Sequence, residues 1–398
     1  MAKQPRKIKL VRITTVPISL RMLITDQPAY MNKAGFDVIL VSSEGQDWNF
    51  IPNLYQYKVH KLNMARQISV VQDILSLLKL IFLFIRIRPD VVHSHTPKAG
   101  LLAMWAAKLT GVPVRVHTLA GLPAFTATGL KKKILLVAER LTFAATNETW
   151  PNSKKLLNYI LREKLIDEKK AKMILEGSSN GIDISRYSLY AVSRQRLKEI
   201  AAKHGIDESN FCFLAVGRMV NDKGIKELVN AFVALHTSND RLRLLLLGPF
   251  ETADALPAEV VNTIKKHAAI KHVDWSDEVD HYMALSNCFV HASHREGFPN
   301  VVLQAGAMGT PIVCSDIPGN TDIVETEAEG YLFKVKDEAE LRAKMLEVLK
   351  DYNTALGKAA LLKEKVVKNY DRRAVHGAIK QRYIELLKQK GIDVSTLV

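Results

Sequence analysis

The sequence predicts an α/β protein with two domains, each a doubly wound parallel sheet with helices on both faces. At 398 residues the chain is too long for one ordinary hydrophobic core. Short apolar runs alternate with longer segments of helical spacing, and repeated strand–helix alternation implies parallel pairing. Hydrophobic residues make up 47% of the chain and charged residues 24%, which is typical of a soluble globular protein.

The first domain is expected to occupy residues 1–187. Apolar runs predict strands at residues 7–15, 37–42, 58–62, 90–95, 113–118 and 173–175. Helical spacing predicts helices at residues 21–34, 68–87, 98–110, 154–161 and from 129 onward. The loop from Thr14 to Leu20 lacks a glycine-rich dinucleotide fingerprint, which argues against an oxidoreductase.

The longest apolar stretch runs from Ile68 to Ile87 and is interrupted by Asp73, Lys79 and Arg86. Charged side chains at the centre of a bilayer are costly, so this stretch is unsuited to span one. We expect a well-buried helix whose outer side lies close to a membrane surface.

Positive charge is concentrated in the first domain. Up to Tyr187 there are 28 Lys and Arg against 13 Asp and Glu, whereas the rest of the chain has 28 of each. The net charge of +15 therefore belongs to the first domain, which favours an anionic partner. Nucleic acid is disfavoured, because the sequence has no RNA-module signature and no interleaving of basic and aromatic residues. The anionic partner is therefore expected to be an acidic membrane surface or a phosphorylated substrate.

The cysteines and the start of the chain indicate the compartment. Cys212, Cys288 and Cys314 lie within apolar runs and have no Cys-x-x-Cys spacing, so we interpret them as buried thiols of a reducing compartment. The basic first residues lack the apolar core of a signal peptide. We expect a cytoplasmic protein.

The second domain is expected to span residues 188–371 and to repeat the alternation. Strands are predicted at residues 211–216, 241–248, 271–275, 288–290, 311–315 and 331–333. Helices are predicted at residues 225–235, 301–308, near 325, 338–349 and 355–367, with a last helix in a third segment, 372–398.

The loop after residues 288–290 carries the clearest chemical signal. Glu296, Gly297 and Pro299 form a turn, and Asn300 opens a helix that Gly309 ends. A helix N-terminus that emerges from such a turn offers free N–H groups and a positive dipole end, which suit phosphate. A carboxylate beside an anion site is poorly placed unless it binds neutral hydroxyls, so Glu296 indicates a sugar phosphate. The alternative is an ordinary strand–loop–helix unit.

The segment Glu296-Gly-Phe-Pro-Asn-Val-Val-Leu-Gln304 resembles the acidic signature of retaining GT-B glycosyltransferases of family 4. That signature has two acids eight positions apart, and here Gln304 occupies the second position. The resemblance implies that Glu296 contacts hydroxyls of the donor sugar and that residue 304 binds the ribose. Gln304 offers neutral hydrogen bonds instead of a charge-assisted one, so we expect weaker ribose binding.

A second loop, from Gly217 to Gly224, places Arg218 and Lys223 after a predicted strand. A guanidinium fork and a mobile ammonium suit a diphosphate. The loop is similar to the family's Gly-Arg…Lys-Gly segment, which binds the donor diphosphate. The alternative is a salt bridge for Arg218 and a surface helix opened by Lys223.

Two histidines, His95 and His117, lie at the ends of predicted strands, where open parallel sheets bind ligands. A structural role fits either of them as well as a catalytic one. Through the resemblance, His117 matches the histidine that lies over the transferred sugar. No metal is expected, because no Cys or acid partners these histidines or His93 at close range, and no Asp-x-Asp occurs.

The resemblance covers most of the chain and implies the GT-B fold, two Rossmann-like domains facing an interdomain cleft. The N-terminal domain would bind the acceptor, the C-terminal domain would bind the nucleotide sugar, and the last helix would cross back onto the N-terminal domain. Residues assigned to the nucleotide sugar are Gly217, Arg218, Lys223, Glu296, Gly297, Phe298, Pro299, Asn300, Val301 and Gln304.

The implied activity is that of a retaining hexosyltransferase, with His117, Arg218, Lys223 and Glu296 as catalytic residues. The donor is expected to be a UDP-hexose or UDP-N-acetylhexosamine, with no other cofactor. The acceptor is expected to be a lipid-linked sugar or polysaccharide at the cytoplasmic membrane face, in bacterial capsule or lipopolysaccharide synthesis. Two alternatives are a GT-B sugar-nucleotide epimerase and a non-catalytic nucleotide-binding relative, which Gln304 would suit.

Overall fold

A six-stranded sheet of parallel strands forms the centre of each of two units in the computed structural model, which describes residues 6–51, 53–65, 69–125 and 127–397. The first unit consists of the chain up to Gly181 together with the segment from Arg373 onward, and the second unit is Ile182–Arg372. The division precedes the expected boundary at Tyr187. The reason is that Ile182 N–H donates to the Tyr370 carbonyl (2.7 Å) and Tyr187 packs in the core of the second unit.

The strands of the first unit are β1 (Lys9–Ile13), β2 (Asp37–Ser42), β3 (Lys58–Lys61), β4 (Val91–Ser94), β5 (Val114–Leu119) and β6 (Glu148–Pro151). Its first six helices are α1 (Pro17–Ile24), α2 (Gln27–Lys33), α3 (Val70–Ile87), α4 (Pro97–Leu109), α5 (Gly129–Ala145) and α6 (Lys154–Arg162).

The strands of the second unit are β7 (Phe211–Val216), β8 (Leu242–Leu247), β9 (Ile270–Val273), β10 (Cys288–His291), β11 (Ile312–Ser315) and β12 (Tyr331–Phe333). The helices that follow α6 are α7 (Arg194–His204), α8 (Ile225–His236), α9 (Ala258–Lys266), α10 (Val279–Leu285), α11 (Asn300–Met308), α12 (Asn320–Ile323), α13 (Glu338–Lys350), α14 (Tyr352–Asn369) and α15 (Arg372–Gln389).

Both sheets have the same strand order, which confirms the predicted fold class. The order is β3-β2-β1-β4-β5-β6 in the first unit and β9-β8-β7-β10-β11-β12 in the second. In each sheet the order reverses once, between β1 and β4 and between β7 and β10. Doubly wound sheets bind ligands at the carboxyl edge of that reversal, so the loops after these four strands are the candidate site.

Helix α15 completes the core of the first unit. Its side chains Val375, Ile379 and Leu387 are buried with Leu10 and Phe36 of the sheet side. The Tyr383 hydroxyl of this helix hydrogen-bonds the ring Nδ1 of His93, and the other ring nitrogen bonds Thr118 Oγ1 at 2.7 Å. His93 is therefore a buried structural residue that fastens the C-terminal helix to β4 and β5.

Three expectations about elements are wrong, and strand β6 and helices α7, α9 and α10 were not predicted. The helix expected over residues 21–34 is broken into α1 and α2, because Thr25 leaves the helical conformation and Pro28 lacks an N–H group. Residues 173–175 form no strand, and Leu175 has a φ of +49°. Strand β6 was not predicted, since Glu148-Thr-Trp-Pro is short and ends in proline. Helix α3 is not well buried: only Ser76, Leu80 and Phe84 are inaccessible.

Candidate active site

Two glycines allow the loops after β7, β8 and β10 to touch at the carboxyl edge of the second sheet. Gly224 has a φ of +66°, and a Cβ atom there would overlap the carbonyl group of Ala292. Gly248 has a φ of +139°, and a Cβ atom there would overlap the carbonyl group of Gly217. Because L-residues with a side chain avoid these conformations and would collide, both positions require glycine.

This packing brings Lys223 onto Glu296. The ammonium nitrogen of Lys223 lies 2.5 Å from Glu296 Oε1, and the two side chains are 19% and 16% exposed. Ser293 Oγ donates to the same oxygen at 3.0 Å, and His291 Nε2 lies 3.2 Å from it. Solvent screens so shielded a pair much less than an ordinary surface salt bridge.

The surroundings of Glu296 keep it ionised. Burial alone would raise the pKa of its carboxyl group, but His291 and the ammonium of Lys223 outweigh burial and lower the pKa to about 2. At neutral pH Glu296 is therefore a fixed carboxylate, which accepts hydrogen bonds and has no proton to give.

Arg218 lies in the same loop as Lys223 but has a different partner. Its Nη1 lies 2.8 Å from Glu251 Oε2, and the two side chains are 47% and 38% exposed. The structure thus contains the salt bridge that the sequence left open as an alternative. The pair is solvated, so separating the two side chains costs little free energy. Arg218 remains able to turn towards an anion.

Helix α11 begins at Asn300 and ends at Met308, as predicted, with Gly309 at a φ of +76°. Pro299 precedes it without a side-chain cap, and its carbonyl accepts from the Val302 and Leu303 N–H groups. The N–H groups of Asn300 and Val301 are left for another acceptor. Phe298 is buried and packs against Tyr370. Gln304 is partly buried, and its side chain makes no hydrogen bond within the described part of the chain.

In the first unit, His117 lies near the carboxyl end of β5, two residues before Leu119. Its Nδ1 hydrogen-bonds Ser94 Oγ of β4 at 2.8 Å. A Cβ atom on Gly100, in the first turn of α4, would lie 2.5 Å from His117 Cε1. Burial lowers the pKa of His117 to about 4, while a hydrogen bond with the Ser94 backbone acts in the opposite direction. His117 is therefore neutral at physiological pH.

His95 is buried, which its position at the end of a predicted strand did not indicate. Arg12 Nε donates to its Nε2 at 3.1 Å, and both side chains are buried. Burial and then the positive charge of Arg12 keep the pKa of His95 well below its usual value. The contact with Arg12 indicates a structural role.

Known proteins match the chain along most of its length. The family described as "Glycosyl transferases group 1" matches residues 197–363, and "Glycosyl transferase 4-like" matches residues 21–168. The capsular polysaccharide biosynthesis glycosyltransferase CapM of Staphylococcus aureus is 32% identical over 349 residues, which cover 86% of this chain and 88% of CapM. The chain belongs to the GT-B glycosyltransferases of family 4.

Two further proteins agree with this assignment. The Escherichia coli UDP-Gal:alpha-D-GlcNAc-diphosphoundecaprenol alpha-1,3-galactosyltransferase is 26% identical over 350 residues, covering 83% of this chain and 85% of the relative. The crystal structure of Anabaena Alr3699/HepE in complex with UDP superposes with a TM-score of 0.76 at 17% identity, over 96% of this chain and 100% of that chain. The second likeness shows that the folds are the same.

Within this glycosyltransferase, four residues around the predicted site were not identified from the sequence. His291 and Ser293 contact Glu296, and Ser94 and Gly100 contact His117. All but Gly100 lie at or just after the carboxyl end of a strand, a position that could have marked them as candidates. The sequence could not have identified Gly100, because the need for glycine there comes from the His117 ring, which is distant in sequence and packs against it in the fold.

Replacing Gly100 with Ala should displace the His117 ring. If His117 contacts the transferred sugar, as the resemblance implies, kcat should fall about tenfold or more, because misplaced groups in an active site lose that much. The matched change is Gly357→Ala in α14, where an added methyl group meets nothing within 4 Å. That variant should keep full activity and gain about 0.5–1 kcal/mol of stability. Equal activity of the two variants would show that the position of His117 is unimportant for transfer.

The pKa of His117 predicts a pH-dependent stability. The folded state keeps His117 neutral down to about pH 4, whereas the unfolded chain protonates near 6.5. Between these values the unfolded state binds more protons, so the stability of the wild type falls relative to His117→Gln as the pH falls, by about 3 kcal/mol in total. Urea unfolding at several pH values measures this difference. A Tyr190→Phe variant, changed at an exposed site, should show none.

Proposed function

We propose that this glycosyltransferase moves a hexose from a UDP-linked donor to a lipid-linked sugar or polysaccharide, with retention of anomeric configuration, in bacterial surface polysaccharide synthesis. The observation that carries the proposal is the shielded Lys223–Glu296 pair at the carboxyl edge of the second sheet. Two relatives support the choice of substrates: CapM is named for capsular polysaccharide, and the Escherichia coli relative for UDP-galactose and a diphosphoundecaprenol-linked acceptor. Neither is an epimerase.

Each charged group has one role in this proposal. Lys223 and Arg218 stabilise the negative charge that develops on the departing diphosphate, together with the N–H groups at the start of α11. Glu296 accepts hydrogen bonds from donor hydroxyls and fixes the orientation of the sugar ring. Gly217, Gly297 and the first residues of α11 line the nucleotide sugar, and the neutral His117 contacts the transferred sugar.

We propose that attack occurs on the face from which the leaving group departs. The acceptor oxygen forms a bond to the anomeric carbon while the bond from that carbon to the diphosphate oxygen breaks. The acceptor hydroxyl proton passes to the departing phosphate oxygen. Glu296, with a pKa of about 2, stays ionised throughout and needs no proton. Lys223 and Arg218 stabilise the charge of the departing diphosphate in place of a metal ion, so we expect transfer to continue in excess EDTA.

The acceptor is proposed to reach the enzyme at the cytoplasmic face of the membrane, through the basic first unit. The excess of Lys and Arg in this part of the chain suits a diphosphate-linked lipid in an anionic membrane. The protein would be peripheral, since none of the described helices is long and apolar enough to cross a bilayer.

A donor panel tests the activity. Wild-type protein incubated with nucleotide sugars and a membrane lipid extract should release UDP from one UDP-hexose and label the lipid fraction. Arg218→Ala and Lys223→Ala should each lower kcat/KM about a hundredfold, because each removes a cation from the developing charge. Arg241→Ala is the matched control, since Arg241 is exposed and precedes β8 at the opposite edge of the sheet.

Two outcomes would contradict the proposal. Full activity of both cation variants would remove the diphosphate site from this loop. An altered sugar nucleotide without added lipid would indicate epimerisation instead.

Replacing Gln304 with Glu should strengthen UDP binding about five- to tenfold, because a carboxylate forms a charge-assisted bond to the ribose hydroxyls. Titration calorimetry with UDP measures the change in Kd. A UDP analogue without ribose hydroxyls should bind both proteins equally. A gain that persists with the analogue would place residue 304 away from the ribose.

A further inference from the structure

Helix α3 presents an apolar stripe to solvent. Val71, Leu75, Leu78, Phe82 and Ile85 recur at helical spacing and are each at least 52% exposed. On the opposite side of the helix, Leu80 and Phe84 pack in the core with residues of the sheet, and the buried Ser76 donates to the Asn63 carbonyl. A helix that is apolar on both sides needs a second apolar partner, and within the described residues nothing covers the outer one.

Helix α5 repeats the pattern. Its outer residues Leu130, Ile134, Val137 and Leu141 follow the same spacing and are each at least 45% exposed. Helix α4 packs against both α3 and α5, so the three helices form one layer. Between the two stripes α4 contributes Trp105, whose ring nitrogen donates to the Leu141 carbonyl at 3.0 Å, and the 61% exposed Leu109. We call the outer surface of α3, α4 and α5 the apolar face.

The charges on the apolar face have one sign. Its exposed cations are Lys79, Arg86, Lys108, Lys131, Lys133 and Arg140. The three helices contain only two acids: Asp73 is paired with Lys98 at 2.5 Å, and Glu139 is buried. A protein partner with an apolar core would suit the stripes alone, whereas an anionic bilayer suits the stripes and the cations together.

One edge of the apolar face continues into a basic groove. Lys79, Phe82 and Arg86 of α3 and Lys61 of β3 line a cavity of about 490 Å³ together with one acid, Glu44, so its Lys and Arg side chains outnumber its carboxylates three to one. A groove of this kind beside an apolar stripe can take a phosphate headgroup while acyl chains lie against Phe82 and its neighbours.

We propose that the apolar face docks on an anionic lipid bilayer, with its leucine, isoleucine, valine and phenylalanine side chains inserted between headgroups and its lysines and arginines bound to lipid phosphate. Helices that follow parallel strands begin at the carboxyl edge of the sheet. The exposed starts of α3 and α5, at Val71 and Leu130, therefore lie towards the edge that carries His117. Docking would deliver a lipid-linked diphosphate to that edge.

This inference extends the proposed function, on which it rests for the identity of the acceptor, but its test needs no activity. Purified protein without donor is mixed with vesicles of phosphatidylcholine alone or of equal parts phosphatidylcholine and phosphatidylglycerol, and binding is measured by flotation. Wild-type protein should bind the anionic vesicles at least tenfold more tightly. Leu78→Ser with Phe82→Ser should weaken binding about tenfold or more at every salt concentration, because the apolar contacts are lost.

The controls separate apolar from ionic contacts. Leu361→Ser changes a residue of α14 that is 52% exposed, and it should bind like the wild type. Lys79→Gln with Arg86→Gln should weaken binding about fivefold per cation at low salt, and the difference should shrink as salt rises. Lys226→Gln, at an exposed position in α8, should have no effect.

Insertion of the apolar face into the bilayer can be measured with a fluorophore. The three native cysteines are buried, so an environment-sensitive dye attached to Phe82→Cys labels one site. Its emission should shift to the blue with anionic vesicles, and the same dye on Leu361→Cys should not respond. Unchanged emission at Phe82→Cys would overturn the proposal, as would a dimer in light scattering that Leu78→Ser with Phe82→Ser dissociates. Loss of transfer with intact vesicle binding would instead count against the proposed chemistry alone.

Discussion

The chemistry proposed for the second unit depends on the close approach of three loops at the edge of its sheet. Gly224 and Gly248 make that approach possible, because any side chain there would meet a backbone carbonyl. The result is a lysine held against a carboxylate that solvent barely reaches. Neither group is placed by its own helix or strand alone. Lys223 is positioned by the loop after β7, and Glu296 by the loop after β10.

This arrangement decides which groups can move protons. Glu296 remains charged because Lys223 and His291 lower its pKa to about 2, and His117 remains neutral because burial lowers its pKa to about 4. Near neutral pH, neither is poised to act as a general acid. In the proposed reaction the departing diphosphate is therefore the group that accepts the proton from the attacking hydroxyl. In that proposal both residues orient the sugar, for which a fixed charge state is an advantage.

The sequence predicts the fold class well and the contacts of the site only in part. Apolar strands such as β7 and β8 are recognisable because both faces of a parallel sheet are buried, whereas β6 is hidden by its proline and its length. The signature residues place Glu296 at a strand end. Sequence spacing cannot show that Arg218 pairs with Glu251, 33 positions away, or that Gly100 makes room for His117. Those facts depend on tertiary packing between distant loops.

The structure shows where the excess positive charge of the first unit lies. At the ends of β1, β4 and β5 the basic side chains Arg12, His95 and His117 present no exposed charge, because burial lowers the pKa values of the two histidines and Arg12 is enclosed. A substantial share of the exposed positive charge of this unit lies instead on the outer surfaces of α3, α4 and α5, among apolar side chains that water solvates poorly. Solubility alone would call for cations interspersed with acids, on polar surface. Cations among exposed leucines fit a surface that is both apolar and anionic, and such a surface would present the enzyme with the lipid-linked acceptor that we propose for it.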